Sequence, residues 1–303
     1  MAVFIEFVQH LINGLGLGAI YALIALGYTM VFGILQLINF AHSDVYMVGA
    51  FIGFYVASYF GLAENPGVAA LLLTLVAAMS GCAILGFTIE RFAYRPLRKA
   101  PRINVLITAI GVSLFLEFGG QALFGADPKF FPQLLPNFSA FQWNALQINP
   151  LQVLVLVISI VLMLGLHFVI YKTKVGLAMR AVSHSHQNAA LMGISVDRTI
   201  SFTFMLGSAL AGAAGVLVGL TYPKIDPLMG VMFGLKAFVA AVVGGIGNVY
   251  GAVVGALILG VAESLVIAYL ASTYRDALAF GLLIIILLVK PSGLFGIHRT
   301  EKV

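Results

Sequence analysis

Apolar runs of about 20 residues, the length that crosses a bilayer as a helix, recur along almost the whole chain and leave little room for any other design. They fall at 11–35, 44–62, 67–89, 103–125, 150–171, 200–222, 229–247, 250–271 and 275–290. Backbone polar groups in lipid must be satisfied within the segment itself, so such runs fold as helices. Only 9% of the 303 residues are charged, against about 25% in soluble domains. The expectation is an all-α, polytopic helical membrane protein, a single membrane domain over residues 1–303. The runs at 44–62, 229–247 and 275–290 are short enough to be tilted or re-entrant, so about 8–10 transmembrane helices are expected.

Charge is informative here by position rather than by sum. The net charge of +5 has no soluble domain to display it, so nucleic acid is not an expected partner. Twelve of the 16 basic residues lie in three clusters: Arg91, Arg95, Arg98, Lys99 and Arg102; Lys172, Lys174, Arg180 and Arg198; and Lys290, Arg299 and Lys302. Two apolar runs separate the first cluster from the second, and four separate the second from the third. All three therefore fall on one face, which the positive-inside rule makes cytoplasmic, together with the C-terminus. The same parity places the N-terminus outside if the run at 11–35 crosses once. No basic residue precedes Arg91, so no positively charged leader is expected. Cys82 is the lone cysteine, lies in an apolar run and says little about compartment.

Two polar stretches interrupt the apolar pattern. Residues 126–149 hold Pro128, Pro132, Pro136 and the only tryptophan, Trp143. The prolines prevent a long helix there, and a compact external loop is expected. Residues 172–199 carry basic residues and still read as helical. A first short helix is expected at Gly176–Val182, and a second capped by Ser185 and stopped at Gly193. The second displays Ala189, Ala190 and Met192 among polar neighbours, which suits a surface for a soluble partner.

Within the runs, small residues recur every four positions: Gly14, Gly18 and Ala22; Gly207, Ala211, Gly215 and Gly219; Gly247, Gly251 and Gly255. Such ridges let helices approach closely, and together they imply a tight Gly-rich bundle. Intramembrane polar residues are costly and usually face a bundle interior or a water-filled path. Asn39, His42, Ser43 and Asp44 stand between the first two runs, Ser113, Glu117 and Gln121 share one helical face, and Lys236 and Glu263 lie inside later runs. Each taken singly suits a structural hydrogen-bonding partner. Taken together, Asn39, His42, Asp44, Glu117, Lys236 and Glu263 are the candidates for a translocation path.

Enzymatic readings lack their motifs. Gly245, Gly247 and Gly251 spell G-x-G-x-x-x-G in an apolar hairpin with no strand pattern, unlike a dinucleotide site. His184 and His186 stand without further metal ligands. No HExxH, GxSxG or phosphate-loop motif occurs. No catalytic, cofactor or metal site is expected, and the chain is not expected to be an enzyme.

Four blocks in order then carry a resemblance over nearly the full length: GLGLGAIYALIALGYTMVFGILQLINFAHSDVYMVGAF (14–51), GLAMRAVSHSHQNAALMGISVDR (176–198), GLKAFVAAVVGGIGNVYGAVVGALILGVAE (234–263) and LLVKPSGLFG (287–296). The chain resembles the LivH-type permease subunits of branched-chain amino acid ABC importers. It departs from them at Ser43, where glycine is usual after the histidine, and at Leu177, where a basic residue is common. The resemblance implies an ABC importer permease fold and transport of Leu, Ile, Val or related amino acids across a bacterial inner membrane. It also implies a homologous second permease in a heterodimer, two cytoplasmic ATP-binding subunits that hydrolyse ATP, and an extracytoplasmic amino-acid-binding protein. Gly176, Arg180, Ala189, Ala190, Gly193 and Ile194 would belong to the segment that couples to the ATPases. Relatives that carry urea, amides or other amino acids are the nearest alternative. A secondary transporter, with Asp44, Glu117 or Glu263 as ion relays, is a more distant one.

Overall fold

The computed structural model describes residues 2–98, 100–136, 141–143 and 146–296; Lys99, Arg299 and Lys302 of the basic clusters, and parts of the 126–149 loop, lie outside them. Nine long helices match the nine apolar runs. They are α1 (Ala2–Leu35), α2 (His42–Tyr59), α3 (Val68–Ile89), α4 (Arg102–Phe124), α5 (Pro150–Lys172), and, after the short helices α6 (Lys174–His184) and α7 (His186–Leu191), α8 (Val196–Thr221), α9 (Met229–Gly244), α10 (Val249–Tyr269) and α11 (Arg275–Val289). Among the described residues, seven are long and apolar enough to cross a membrane. The other two fall short for visible reasons. α2 begins on His42, Ser43 and Asp44, and α9 stops after 16 residues at Gly245, whose φ of +110° suits only glycine. The protein is thus a polytopic helical membrane protein.

The bundle is organised around α1 and α8, whose apolar windows are 89% and 83% buried, whereas those of α4, α5 and α11 are 17%, 22% and 6% buried. α1 is one continuous helix of 34 residues, about 51 Å long at 1.5 Å per residue. It crosses α8 where Gly27 meets Gly207 and lies against α10 through Gly14 and Gly18; a side chain at Gly18 would come 2.8 Å from Leu257 Cα. Gly215 of α8 admits the α2 backbone, and Gly255 of α10 admits that of α9. These close approaches are the ridges seen in the sequence, with one difference. Gly247 belongs to the α9–α10 turn, because Asn248 accepts from the amides of Tyr250 and Gly251 and so starts α10 after it.

The loops gather at two ends. At one, Arg95 and Arg98 pair with Asp197, which ties the first basic cluster to the 172–199 stretch. The chain after α11 returns to the same end. Its Leu294 and Phe295 amides donate to the Val243 and Gly244 carbonyls at 2.9 Å, beside the end of α1. At the other end, β1 (Lys129–Phe130) pairs antiparallel with a strand at Lys224–Ile225. A hairpin of β2 (Phe141–Trp143) and β3 (Leu146–Ile148) lies between them in sequence, which makes Lys224–Ile225 β4. Buried Phe131 and Leu134 anchor that loop, with Phe131 against Gly53 and Gly219 and the Leu134 carbonyl accepting from Gly67 at 2.9 Å.

Candidate translocation path and coupling loop

The 172–199 stretch folds by local capping. Thr173 Oγ1 accepts from the Gly176 amide at 3.1 Å and donates to the Val169 carbonyl at 2.5 Å, which turns α5 into α6. A β-carbon on Gly176 would run into the carbonyls of Val169 and Ile170, so the turn needs glycine. Ser185 Oγ accepts from the Asn188 amide at 3.2 Å and caps α7, and Gly193 ends it at φ +79°. The α7 unit is held to the bundle by buried Ala189 and by the His186 ring, whose Nε2 lies 3.0 Å from the Ile34 carbonyl of α1. Its tip points away from the bundle: Leu191 and Met192 are 85% and 84% exposed, with Ala190 and Gly193 exposed beside them and Ile194 half-buried. Arg180 is turned elsewhere, over the ring of Tyr171 at 5.4 Å.

A second group lies inside the bundle at the start of α2. Asn39 accepts from Tyr94 at 2.7 Å, the His42 ring meets Tyr28 edge-on at 4.9 Å, and Ser43 packs against Gly234 of α9. Asp44 is fully buried and accepts from Ser113 at 2.5 Å, with the Glu117 carboxyl group interacting beside it. Ser113 and Glu117, four residues apart, thus present one face of α4 to α2. Thr29 Oγ1, His42 Nε2, Asp44 Oδ1 and the Tyr46 hydroxyl are buried without a hydrogen-bond partner. Buried polar atoms are almost always paired, so four orphans around α1 and α2 are an unusual concentration. Aromatic rings wall the same region: Phe233 lies among Tyr21, Tyr46 and Tyr222, and Phe238 between Tyr28 and Phe40.

Lys236 and Glu263 form a separate group. Lys236 Nζ lies 3.1 Å from Glu263 and 2.7 Å from Asp276; Arg275 Nε donates to Glu263 at 2.9 Å, and the Tyr21 hydroxyl donates to it at 3.0 Å. Two cations and two carboxylates balance, so these charges occupy one another. No hydrogen bond or ion pair among the described residues joins this network to the Asp44 group. Sequence reading did not single out Arg275 and Asp276 as its outer members, although two opposite charges at the edge of an apolar run are a visible signal. Glu90 was missed too: it is buried and holds Arg98 of its own segment and Ser201 of α8.

The pattern for the branched-chain amino acid transport system permease component matches residues 10–287. The chain belongs to this family. It is 42% identical over 310 residues to the high-affinity branched-chain amino acid transport system permease protein LivH of Escherichia coli (strain K12), covering 99% of both chains. It is 41% identical over 302 residues to the corresponding protein BraD of Pseudomonas aeruginosa, covering 98% of both. A more distant relative is the high-affinity branched-chain amino acid transport system permease protein LivM of E. coli K12, 24% identical over 93% of this chain and 69% of LivM. No solved structure matches the chain.

Proposed function

We propose that this chain is one permease subunit of an ATP-driven ABC importer for branched-chain amino acids in a bacterial inner membrane. The full-length similarity to LivH and BraD carries the reading. It forms half of the path, and a homologous LivM-like subunit forms the other half. An extracytoplasmic binding protein delivers the amino acid, and two cytoplasmic ATP-binding subunits hydrolyse ATP. The basic end, with the C-terminus, faces the cytoplasm, and the 126–149 loop faces outward.

In this reading Leu191 and Met192 at the α7 tip, with Ala190, Gly193 and Ile194, enter a cleft of an ATPase subunit. Capped α6 and α7 act as a rigid lever, with Gly176 at its pivot and Arg180 on its first helix. Nucleotide-driven closure then moves the bundle between two access states through contacts that differ between those states. Asn39, His42, Asp44 and Glu117 supply polar partners along the path, where the orphaned atoms lie. Lys236 and Glu263 brace its wall. Few fixed charges and many aromatic faces suit a zwitterion with an apolar side chain.

Affinity purification of the tagged chain from cells expressing a candidate second permease, two ATPases and a binding protein tests the assembly. The expected result is one stable complex of the permeases and ATPases whose ATPase rate rises with leucine-loaded binding protein. Stimulation by urea or amides instead of leucine moves the substrate to the alternative class. A chain that recovers neither ATPase refutes the importer reading.

A further inference from the structure

At the basic end, α5 and α10 stand apart over the last turns of α1 and leave a cavity of about 750 Å³. Met30 and Ile34 of α1, Ile170 of α5 and Val249 of α10 make its apolar floor and sides, and Arg180 and Ser183 of α6 close its polar end. This volume is in the range of ligand sites. Four observations give it a chemistry. Arg180 has no carboxylate partner among the described residues, and no Asp or Glu lines the cavity, so its net charge is positive. Tyr171 and Tyr250 stack at 5.7 Å with His167 against them, an aromatic group of the kind found at membrane interfaces. Above these rings α5 shows an apolar surface, with Leu164 and Phe168 about 60% exposed. Gln36, alone among the described non-glycine residues, holds a positive φ, +55°, at the rim. Such local strain collects at ligand clamps.

We propose that this cavity is a site for an anionic phospholipid, the phosphate paired with Arg180 and an acyl chain laid along α1 over Met30 and Ile34. Basic pockets between helices on the cytoplasmic side of a membrane suit such headgroups. The site touches α6 and the end of α1, to which α7 is bound through His186, so an occupied cavity would stiffen the seat of the coupling loop. The lipid site does not depend on which amino acid is carried, and its test does not use transport.

The test is native mass spectrometry of the full-length chain in its purified complex, delipidated and then titrated with dioleoylphosphatidylglycerol, dioleoylphosphatidylcholine or inorganic phosphate. The wild type is expected to retain phosphatidylglycerol in preference to phosphatidylcholine, and millimolar inorganic phosphate is expected not to displace it. Arg180→Gln should weaken retention about five-fold, the weight of one basic residue at a membrane surface, while Arg180→Lys keeps most of it. Gly33→Leu fills the floor and keeps the charge; its β-carbon would meet Gly247 at an ordinary 3.8 Å, and in complex recovered intact it too should lose the lipid. Equal retention of both lipids, wild-type retention by Arg180→Gln and Gly33→Leu, or displacement by inorganic phosphate would each overturn the proposal.

Discussion

Replacing Glu263 with glutamine removes the carboxylate that Lys236, Arg275 and Tyr21 share, and its cost follows from the geometry. Lys236, Glu263, Arg275 and Asp276 form a neutral set; the substitution leaves it with one excess positive charge. The Lys236 side chain is 3% exposed, and its remaining counter-charge, Asp276, is 48% exposed and partly screened by solvent. Removing one partner of a buried pair costs about 3–5 kcal/mol. Because Asp276 stays 2.7 Å from Lys236, the lower end, about 3 kcal/mol, is expected for Glu263→Gln. Lys236→Met leaves Glu263 paired with Arg275 at 2.9 Å and should cost about 1–3 kcal/mol. The double substitution restores neutrality, so its cost should fall short of the sum by about 1–3 kcal/mol. Reversible unfolding of the four proteins in mixed detergent micelles measures the cycle. Additivity within about 0.5 kcal/mol would show that the four charges do not act as one unit.

Gly176→Ala forces a methyl group against the Val169 and Ile170 carbonyls, so ATP hydrolysis should persist while uptake per ATP falls several-fold, read from parallel phosphate-release and uptake assays. Leu191→Asp with Met192→Asp should abolish co-purification of the ATPases and leave the yield of membrane-inserted chain unchanged, as quantified by immunoblotting of both fractions. Asp197→Asn removes an exposed ion-pair partner and should cost less than about 1 kcal/mol. Glu90→Gln strips buried Glu90 of its charged contacts to Arg98 and Ser201 and should cost about 2–3 kcal/mol in the same unfolding assay.

The long helices were legible because lipid leaves an apolar run little choice of structure: α3, α4 and α5 begin and end within two residues of the runs that announced them. The α6–α7 stretch was legible for a local reason, since Ser185 and Gly193 carry their capping roles in their own side chain and backbone. Side-chain partnerships were not. Spacing could place Ser113 and Glu117 on one face, but it could not show that Asp44, from another helix, would meet them. Lys236 and Glu263 looked like isolated intramembrane charges until the α9–α10 hairpin brought them together and the start of α11 supplied Arg275 and Asp276. Arg180 read as part of the coupling segment from its neighbours in sequence, but spacing could not show that its guanidinium would lie over the Tyr171 ring at 5.4 Å and line a cavity.

The most direct test of the central claim is uptake of labelled leucine into proteoliposomes holding this chain, a second permease and two ATPases, with binding protein outside and ATP inside. Uptake should require ATP, saturate with leucine, isoleucine and valine as mutual competitors, and vanish when this chain is omitted or carries Leu191→Asp with Met192→Asp. Leucine uptake that continues without ATP, driven by an ion gradient, or that is indifferent to the α7 tip would contradict it.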